Sequence, residues 1–378
     1  MRNYGGHKMG ILKPKLKYYS LTNILSKHAQ YNIIFGERSN GKTFATLLYA
    51  LEQYTTNKKQ SAYVRRWKED FRGKRAESLF NSIVALGYVK KLTNGRFDNV
   101  YYTSSKWYLA KWDDKLNKNI IDEEPFCYAF SLSDMEHDKS TSYPNITSII
   151  FDEFLTRNSY IPNEFVIFMN VISTIVRDRD DVLIFMLGNT VNQYCPYFNE
   201  MGLKHIEKMN KGDIDVYQYG ESKLCVAVEY ADSPNKSKPS DLYFAFDNPK
   251  LQMITNGVWE IALYPHCPVK YKPKDILFTY FINFDNNLLQ CEIVQVDNSV
   301  FTYIHRKTTP LKHPELDLIY DTEYHYELNY TRRITRPMTK IEKRVSEFFA
   351  HEKIFYQDND VGEIIRNYIN WSKTETIK

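Results

Sequence analysis

Phe35-Gly36-Glu37-Arg38-Ser39-Asn40-Gly41-Lys42-Thr43 satisfies the pattern of Gly, four free positions, then Gly-Lys-Thr, and its flanks decide the fold. Before it, Tyr31-Asn32-Ile33-Ile34-Phe35 reads as a short buried strand; after it, Thr43 to Tyr54 reads as a helix with few breakers. Strand, loop and helix in that order make a phosphate cradle. Gly36 and Gly41 let the backbone curl so that the N–H groups of Glu37, Arg38, Ser39 and Asn40 between them point at a triphosphate, and the helix N-terminus adds partial positive charge. Lys42 then reaches the β- and γ-phosphates and Thr43 ligates Mg²⁺. ATP or GTP binding is the working expectation.

A nucleotide-hydrolysing site needs a second half, and Ile146-Thr147-Ser148-Ile149-Ile150-Phe151-Asp152-Glu153 supplies its pattern: a buried strand ending in two carboxylates. At the tip of that strand Asp152 holds a water of the Mg²⁺ shell, while Glu153 orients or deprotonates the attacking water. The next buried strand, Val182 to Leu187, closes with Gly188-Asn189-Thr190, which places Asn189 to sense the γ-phosphate. Strands and helices alternate through Ser61-Ala62-Tyr63-Val64-Arg65-Arg66, as in a P-loop NTPase with a mainly parallel α/β sheet. Arg65 and Arg66, at that strand's C-terminal end, fall on the ligand-binding edge, where phosphates of a nucleotide or a nucleic acid could be met.

At 378 residues the chain exceeds the usual single domain. Fifty Lys and Arg against 46 Asp and Glu leave a net charge of only +4, so any nucleic-acid contact must come from local patches. The 30 Tyr and 22 Phe point first to an aromatic-rich core. Five scattered cysteines without a Cys-x-x-Cys or a His pair at ligand spacing argue for a reduced interior, with no metal implied beyond nucleotide-bound Mg²⁺. No apolar run approaches bilayer length, which excludes a membrane partner and predicts a cytoplasmic protein.

The expected organisation is an ATPase domain over residues 1–233, a linker with a short helical connector over 234–262, and a smaller α+β domain over 263–378. A basic arm opens the first domain. Within that domain the pattern predicts a helix from Glu77 to Leu86, a β-rich insertion over 92–133 with a charged loop from Asp113 to Glu124, and a short helix from Gly202 to Lys211. The last domain opens on a three-strand meander, Ile276 to Phe284, Leu288 to Val296 and Val300 to Arg306. Helices Lys340 to Ala350 and Val361 to Trp371 follow, preceded by the basic Arg332, Arg333 and Arg336, candidates for duplex backbone contacts.

Taken together, the loop at 36–43, Tyr63-Val64-Arg65-Arg66, Lys139-Ser140-Thr141-Ser142-Tyr143-Pro144-Asn145, Phe151-Asp152-Glu153-Phe154, Tyr160-Ile161-Pro162-Asn163-Glu164 and Val176-Arg177-Asp178-Arg179 resemble the DNA-packaging (encapsidation) ATPases of small tailed phages of the phi-29 type. The resemblance covers about residues 30 to 200. It implies a RecA-like ring ATPase of the additional-strand, catalytic-glutamate (ASCE) class, related to terminase large subunits. Such a ring, a pentamer by family resemblance, sits in the host cytoplasm on the portal of an empty prohead and pumps in double-stranded DNA; a packaging RNA is a further partner left open. It also implies that Arg177 acts in trans as an arginine finger, with Lys139 a second candidate, and that the C-terminal domain is RNase H-like. An active RNase H-type site needs several converging carboxylates, one from the first strand, and Ile276 to Phe284 has none, so a nuclease-inactive domain is expected. The remaining alternatives are a nuclease-bearing terminase or helicase, and a nucleotide-gated assembly protein without turnover.

Overall fold

The computed structural model describes residues 19–38, 40–137, 142–156, 160–161, 163–190, 195–203, 205–232, 264–284 and 287–373. The basic N-terminal arm, Ser39, Lys139, the linker and its helical connector lie outside the described residues. The chain divides into two compact units, Met1–Glu260 and Ile261–Lys378.

The first unit is built on a ten-stranded sheet. Its strands are β1 (Tyr31–Gly36), β2 (Gln60–Arg65), β3 (Asn99–Thr103), β4 (Lys106–Asp113), β5 (Lys118–Ile121), β6 (Cys127–Ser131), β7 (Ile146–Asp152), β8 (Leu183–Asn189), β9 (Ile214–Gln218) and β10 (Cys225–Ala231). The order is β3-β4-β6-β2-β7-β8-β1-β10-β9, with β5 pairing β4. The run from β6 to β10 is parallel; β9 and β3–β5 extend it antiparallel.

Continuous apolar runs form the inner strands because both sheet faces are covered. Ile33, Phe35, Ile149 and Phe151 pack on one face against Phe168, Ile172 and Ile175 of helix Glu164–Val176. Ile34, Ile150, Phe185 and Leu187 face Leu47, Ala50, Leu51 and Tyr54 of helix Lys42–Asn57 on the other. Parallel register brings the C-terminal ends of β1, β7 and β8 together, with Gly36 opposite Asn189 and Asp152 opposite Leu187.

Four local expectations are corrected. The helix expected from Glu77 to Leu86 is broken into Lys74–Glu77, Asn81–Ala85 and Tyr88–Leu92, with Gly87 in a left-handed turn at φ 74° between the last two. The charged loop from Asp113 to Glu124 contains β5: Asp113 Oδ1 accepts the N–H groups of Lys115 (2.8 Å) and Leu116 (3.0 Å), closing a hairpin that the alternating charges concealed. Cys127–Ser131, expected within an insertion, joins the parallel sheet beside β2. Between Gly202 and Lys211 the described helix is one short 3₁₀ turn, Ile206–Lys208.

The second unit carries a six-stranded sheet of order β15-β14-β11-β12-β13-β16. The expected meander is β11 (Ile276–Phe284), β12 (Asn287–Val296) and β13 (Ser299–Arg306). Three shorter strands extend it: β14 (Leu318–Asp321), parallel to β11; β15 (Tyr330–Thr331), parallel to β14; and β16 (Ile354–Tyr356), parallel to β13. At two to four residues these give too short an alternation to read in sequence. Helices Lys340–Ala350 and Asn359–Lys373 complete the unit, the second meeting the sheet through Tyr368 on Phe284.

Candidate nucleotide site

Glycine is required at both ends of the loop. A Cβ on Gly36, where φ is 156°, would stand 2.6 Å from the Ala231 carbonyl oxygen on the neighbouring β10. Gly41 holds φ 94° immediately before helix Lys42–Asn57, so that the helix N-terminus opens into the site. Lys42 is buried, its ammonium donating to the Glu37 carbonyl (2.7 Å) and Asn40 Oδ1 (3.1 Å), with Asn189 Oδ1 at 3.5 Å. Burial pushes this amine down to about 8, against a counter-pull from the Asp152 and Glu37 carboxylates. These oxygens lie where phosphate oxygens could take over as acceptors. Asn40 Nδ2 is buried beside them without a hydrogen-bond partner, a donor suited to an anion.

Asp152 and Thr43 meet across the loop: Thr43 Oγ1 lies 3.2 and 3.3 Å from the two carboxylate oxygens. A hydroxyl and a carboxylate so close are the hard oxygen donors Mg²⁺ prefers, so the residues present fit that ion. Tyr63 also donates to Asp152 Oδ2, at 2.7 Å. Lys42, Thr43, Asp152, Glu153 and Asn189, with Arg38 and Asn40, line one cavity of about 570 Å³.

Glu153 sits at φ 60° just past the strand, and Arg65, the last residue of β2, and Arg66, which follows it, divide the work of holding it. Arg65 Nη2 donates to Glu153 Oε2 at 2.7 Å and lies 3.4 Å from Asp70 through Nε. Arg66 is buried, donating to the backbone carbonyls of Glu153 (3.1 Å) and Phe154 (2.9 Å). Its other contacts are a two-pronged pair with buried Glu164, at 2.7 and 2.8 Å, to which Tyr197 and the Ile161 N–H also donate. The expectation that Arg66 would meet phosphates is therefore corrected: it is buried and committed to the Asp-Glu turn, whereas Arg65 holds that turn through one pair with the exposed Glu153 carboxylate. Glu164 and Tyr197 complete that anchor; Glu164 stood in a quoted motif, but its pairing with Arg66 and Tyr197 was not legible because the three lie on separate elements.

Arg177 stands elsewhere. It follows helix Glu164–Val176, at φ 49°, upstream of the N-terminal end of β8, whereas Asn189 and the phosphate loop lie at that strand's other end. Seven residues at about 3.3 Å each separate the two ends of β8 by roughly 20 Å. Its neighbour Arg179 is fixed by the Tyr143, Pro144, Ile146 and Ile175 carbonyls. In the second unit Arg332 donates to the Thr322 carbonyl and stacks on Tyr324 at 3.7 Å, and Arg333 donates to the Trp371 and Ser372 carbonyls, so these two are corrected from free duplex contacts to braces of their own unit.

A phosphate loop at the end of β1, with a strand-end Asp-Glu pair two strands away in the same parallel sheet, defines a P-loop nucleotide-hydrolase fold. The family model of the Podovirus DNA encapsidation protein (Gp16) matches residues 13–313. The chain belongs to that family. It is 30% identical over 275 residues to the DNA packaging protein of Bacillus phage PZA, covering 72% of this chain and 74% of that protein. The DNA packaging protein of Bacillus phage phi29 matches to the same extent. Among solved structures, the Phi-28 gp11 DNA packaging motor shares the fold with a TM-score of 0.57 at 20% identity, covering 96% of this chain and 99% of that one. The bacteriophage Phi-29 viral genome packaging motor assembly gives 0.56 at 19%, covering 93% and 97%.

Proposed function

We propose that this chain is the ATPase subunit of a motor that drives double-stranded DNA into a preformed phage prohead, working as a homo-oligomeric ring at the portal. The observation that carries the reading is the single cavity in which Lys42, the Thr43–Asp152 pair and Glu153 converge, in a chain of the encapsidation family. Lys42 and the loop amides bind the β- and γ-phosphates. Thr43, and Asp152 through water, would hold Mg²⁺, which neutralises phosphate charge when bound. Glu153 orients the attacking water and accepts its proton, and Asn189 reports the γ-phosphate to β8. Turnover distinguishes this reading from a nucleotide-gated assembly protein, which has no use for a water-activating carboxylate.

A ring gives Arg177 its role. Its distance from its own phosphate loop supports a role in trans, across a head-to-tail interface to a neighbour's nucleotide. For the second unit, parallel β14 and β15 added beside the meander support an RNase H-like assignment. Asn283, on the first strand, donates to Asp321 across the sheet at 2.8 Å, an amide where a two-metal nuclease needs a carboxylate, which supports packaging without cutting. The test is uptake: purified proheads given this protein, ATP and linear duplex DNA should protect that DNA from nuclease. Protection without ATP, or DNA cleavage in place of protection, contradicts the reading.

A further inference from the structure

Asp152 must present its carboxylate in one orientation, yet it ends an edge of the cavity where a short side chain could rotate. Its Oδ1 is fixed by the Glu153 backbone N–H at 3.0 Å, and its Oδ2 receives the Tyr63 hydroxyl at 2.7 Å. Arg65 Nη1 stands further off, at 3.7 Å. The tyrosine bond is thus the shortest made to either oxygen.

We propose that Tyr63 is a positioning residue for the metal step: it locks the Asp152 rotamer so that the carboxylate's free lone pairs face the Thr43 hydroxyl, and thereby sets the affinity of the loaded site for a divalent cation. The proposal rests on the reading of Asp152 and Thr43 as the Mg²⁺ pair.

Three features make Tyr63 a fixed arm rather than an incidental neighbour. It is buried in β2, the strand next to β7, so its Cα is held by the register that pairs Tyr63 with Ile150. Its ring is clamped edge-on by Trp107 (6.0 Å, 88°) and Phe71 (6.2 Å, 83°). Trp107 is itself fully buried on β4 and donates through Nε1 to the Ala76 carbonyl at 2.9 Å. The β-rich segment thus supplies part of the brace through β4. Outer partners that orient a metal's ligands are commonly worth 10–100-fold in metal affinity.

The full-length protein is tested with a fluorescent ATP analogue, titrating Mg²⁺ and following nucleotide fluorescence, with Mn²⁺ spectra of the nucleotide complex as a second readout. Tyr63→Phe keeps the ring and removes one hydroxyl. It should raise the half-saturating Mg²⁺ roughly 10–100-fold, change the Mn²⁺ signal, and leave nucleotide affinity in chelator unchanged. Tyr54→Phe is the control: Tyr54 makes the same kind of buried bond, to Asp122 at 2.9 Å, at the far end of helix Lys42–Asn57. It should leave the Mg²⁺ requirement alone. An unchanged Mg²⁺ requirement in Tyr63→Phe, or an equal rise in Tyr54→Phe, overturns the proposal. If Tyr63→Phe does not fold, Trp107→Phe, which loosens the clamp but keeps the hydroxyl, must raise the requirement, and no change there overturns it. Asp152→Asn separates the two layers: a shift in Asp152→Asn without one in Tyr63→Phe rejects only the role of Tyr63, whereas no shift in either rejects the metal pair itself.

Discussion

Arg65 Nη2 stands 2.7 Å from Glu153 Oε2, so the carboxylate assigned to activate water is tied to the strand beside it. Glu153 is 55% exposed at its side chain, and an ion pair that open to water is worth about 0–1 kcal/mol. Such a restraint opens readily. In the proposed mechanism Glu153 leaves Arg65 for the water, so a partner that draws Arg65 away should accelerate hydrolysis. Arg65→Gln should raise ATP turnover measured without DNA and narrow the ratio of DNA-stimulated to basal rate; an unchanged ratio counts against this role.

Arg66 is the opposite case. Its partner Glu164 is fully buried, and removing one member of a buried pair costs about 3–5 kcal/mol because the other is left uncompensated. Arg66→Ala should lower the unfolding free energy obtained from urea melts by that much, whereas Glu153→Gln should stay within about 1 kcal/mol of wild type. Equal losses in urea melts would mean that the two arginines do not divide the work as described.

How far sequence carried the reading follows from these residues. The phosphate loop and the Asp152-Glu153 strand were legible because each is contiguous and its chemistry fixes residue type and spacing. The β1, β7 and β8 strands were legible because burial on both faces makes them unbroken apolar runs. Arg65 and Arg66 stood out as a pair, but not their targets, because Glu153 and Glu164 lie 88 and 98 residues away and only sheet order brings them close. Tyr63 stood in the same quoted motif, but its partner Asp152 lies 89 residues away. The strands β14–β16 were too short for periodicity, and β5, only four residues long, was masked by the charged residues around it.

The lysine of the loop predicts a pH dependence. Burial holds Lys42 near 8 against an ordinary 10.5, so below pH 8 it is charged and ready for phosphate. Above pH 8 the free protein has lost that proton and nucleotide binding must take one up, since phosphates stabilise the charged form. ATP affinity should be flat below pH 8 and fall about tenfold per unit between 8 and 10. Lys42→Met should bind weakly with no such slope. Fluorescence titrations across pH decide it, and a wild-type affinity rising with pH contradicts the assignment.

Arg177 predicts cooperation between subunits. Arg177→Ala protein, inactive alone, should regain turnover when mixed with inactive Glu153→Gln protein, because some interfaces then pair an intact arginine with an intact glutamate. A finger of this kind is worth about 10³–10⁵ in rate elsewhere, so recovery should be large against background. Recovery should vanish on dilution that separates subunits. Mixed rings that stay inactive place Arg177 within its own subunit's structure instead.

The central claim is that this fold hydrolyses ATP through Glu153 in response to duplex DNA. The direct measurement compares wild-type and Glu153→Gln protein for ATP binding and for ATP turnover with and without double-stranded DNA. DNA-stimulated turnover should hardly vary with base sequence and should weaken with salt. Glu153→Gln should keep wild-type ATP affinity with a rate lower by about 10²-fold or more. A Glu153→Gln protein that hydrolyses ATP near the wild-type rate would contradict the claim.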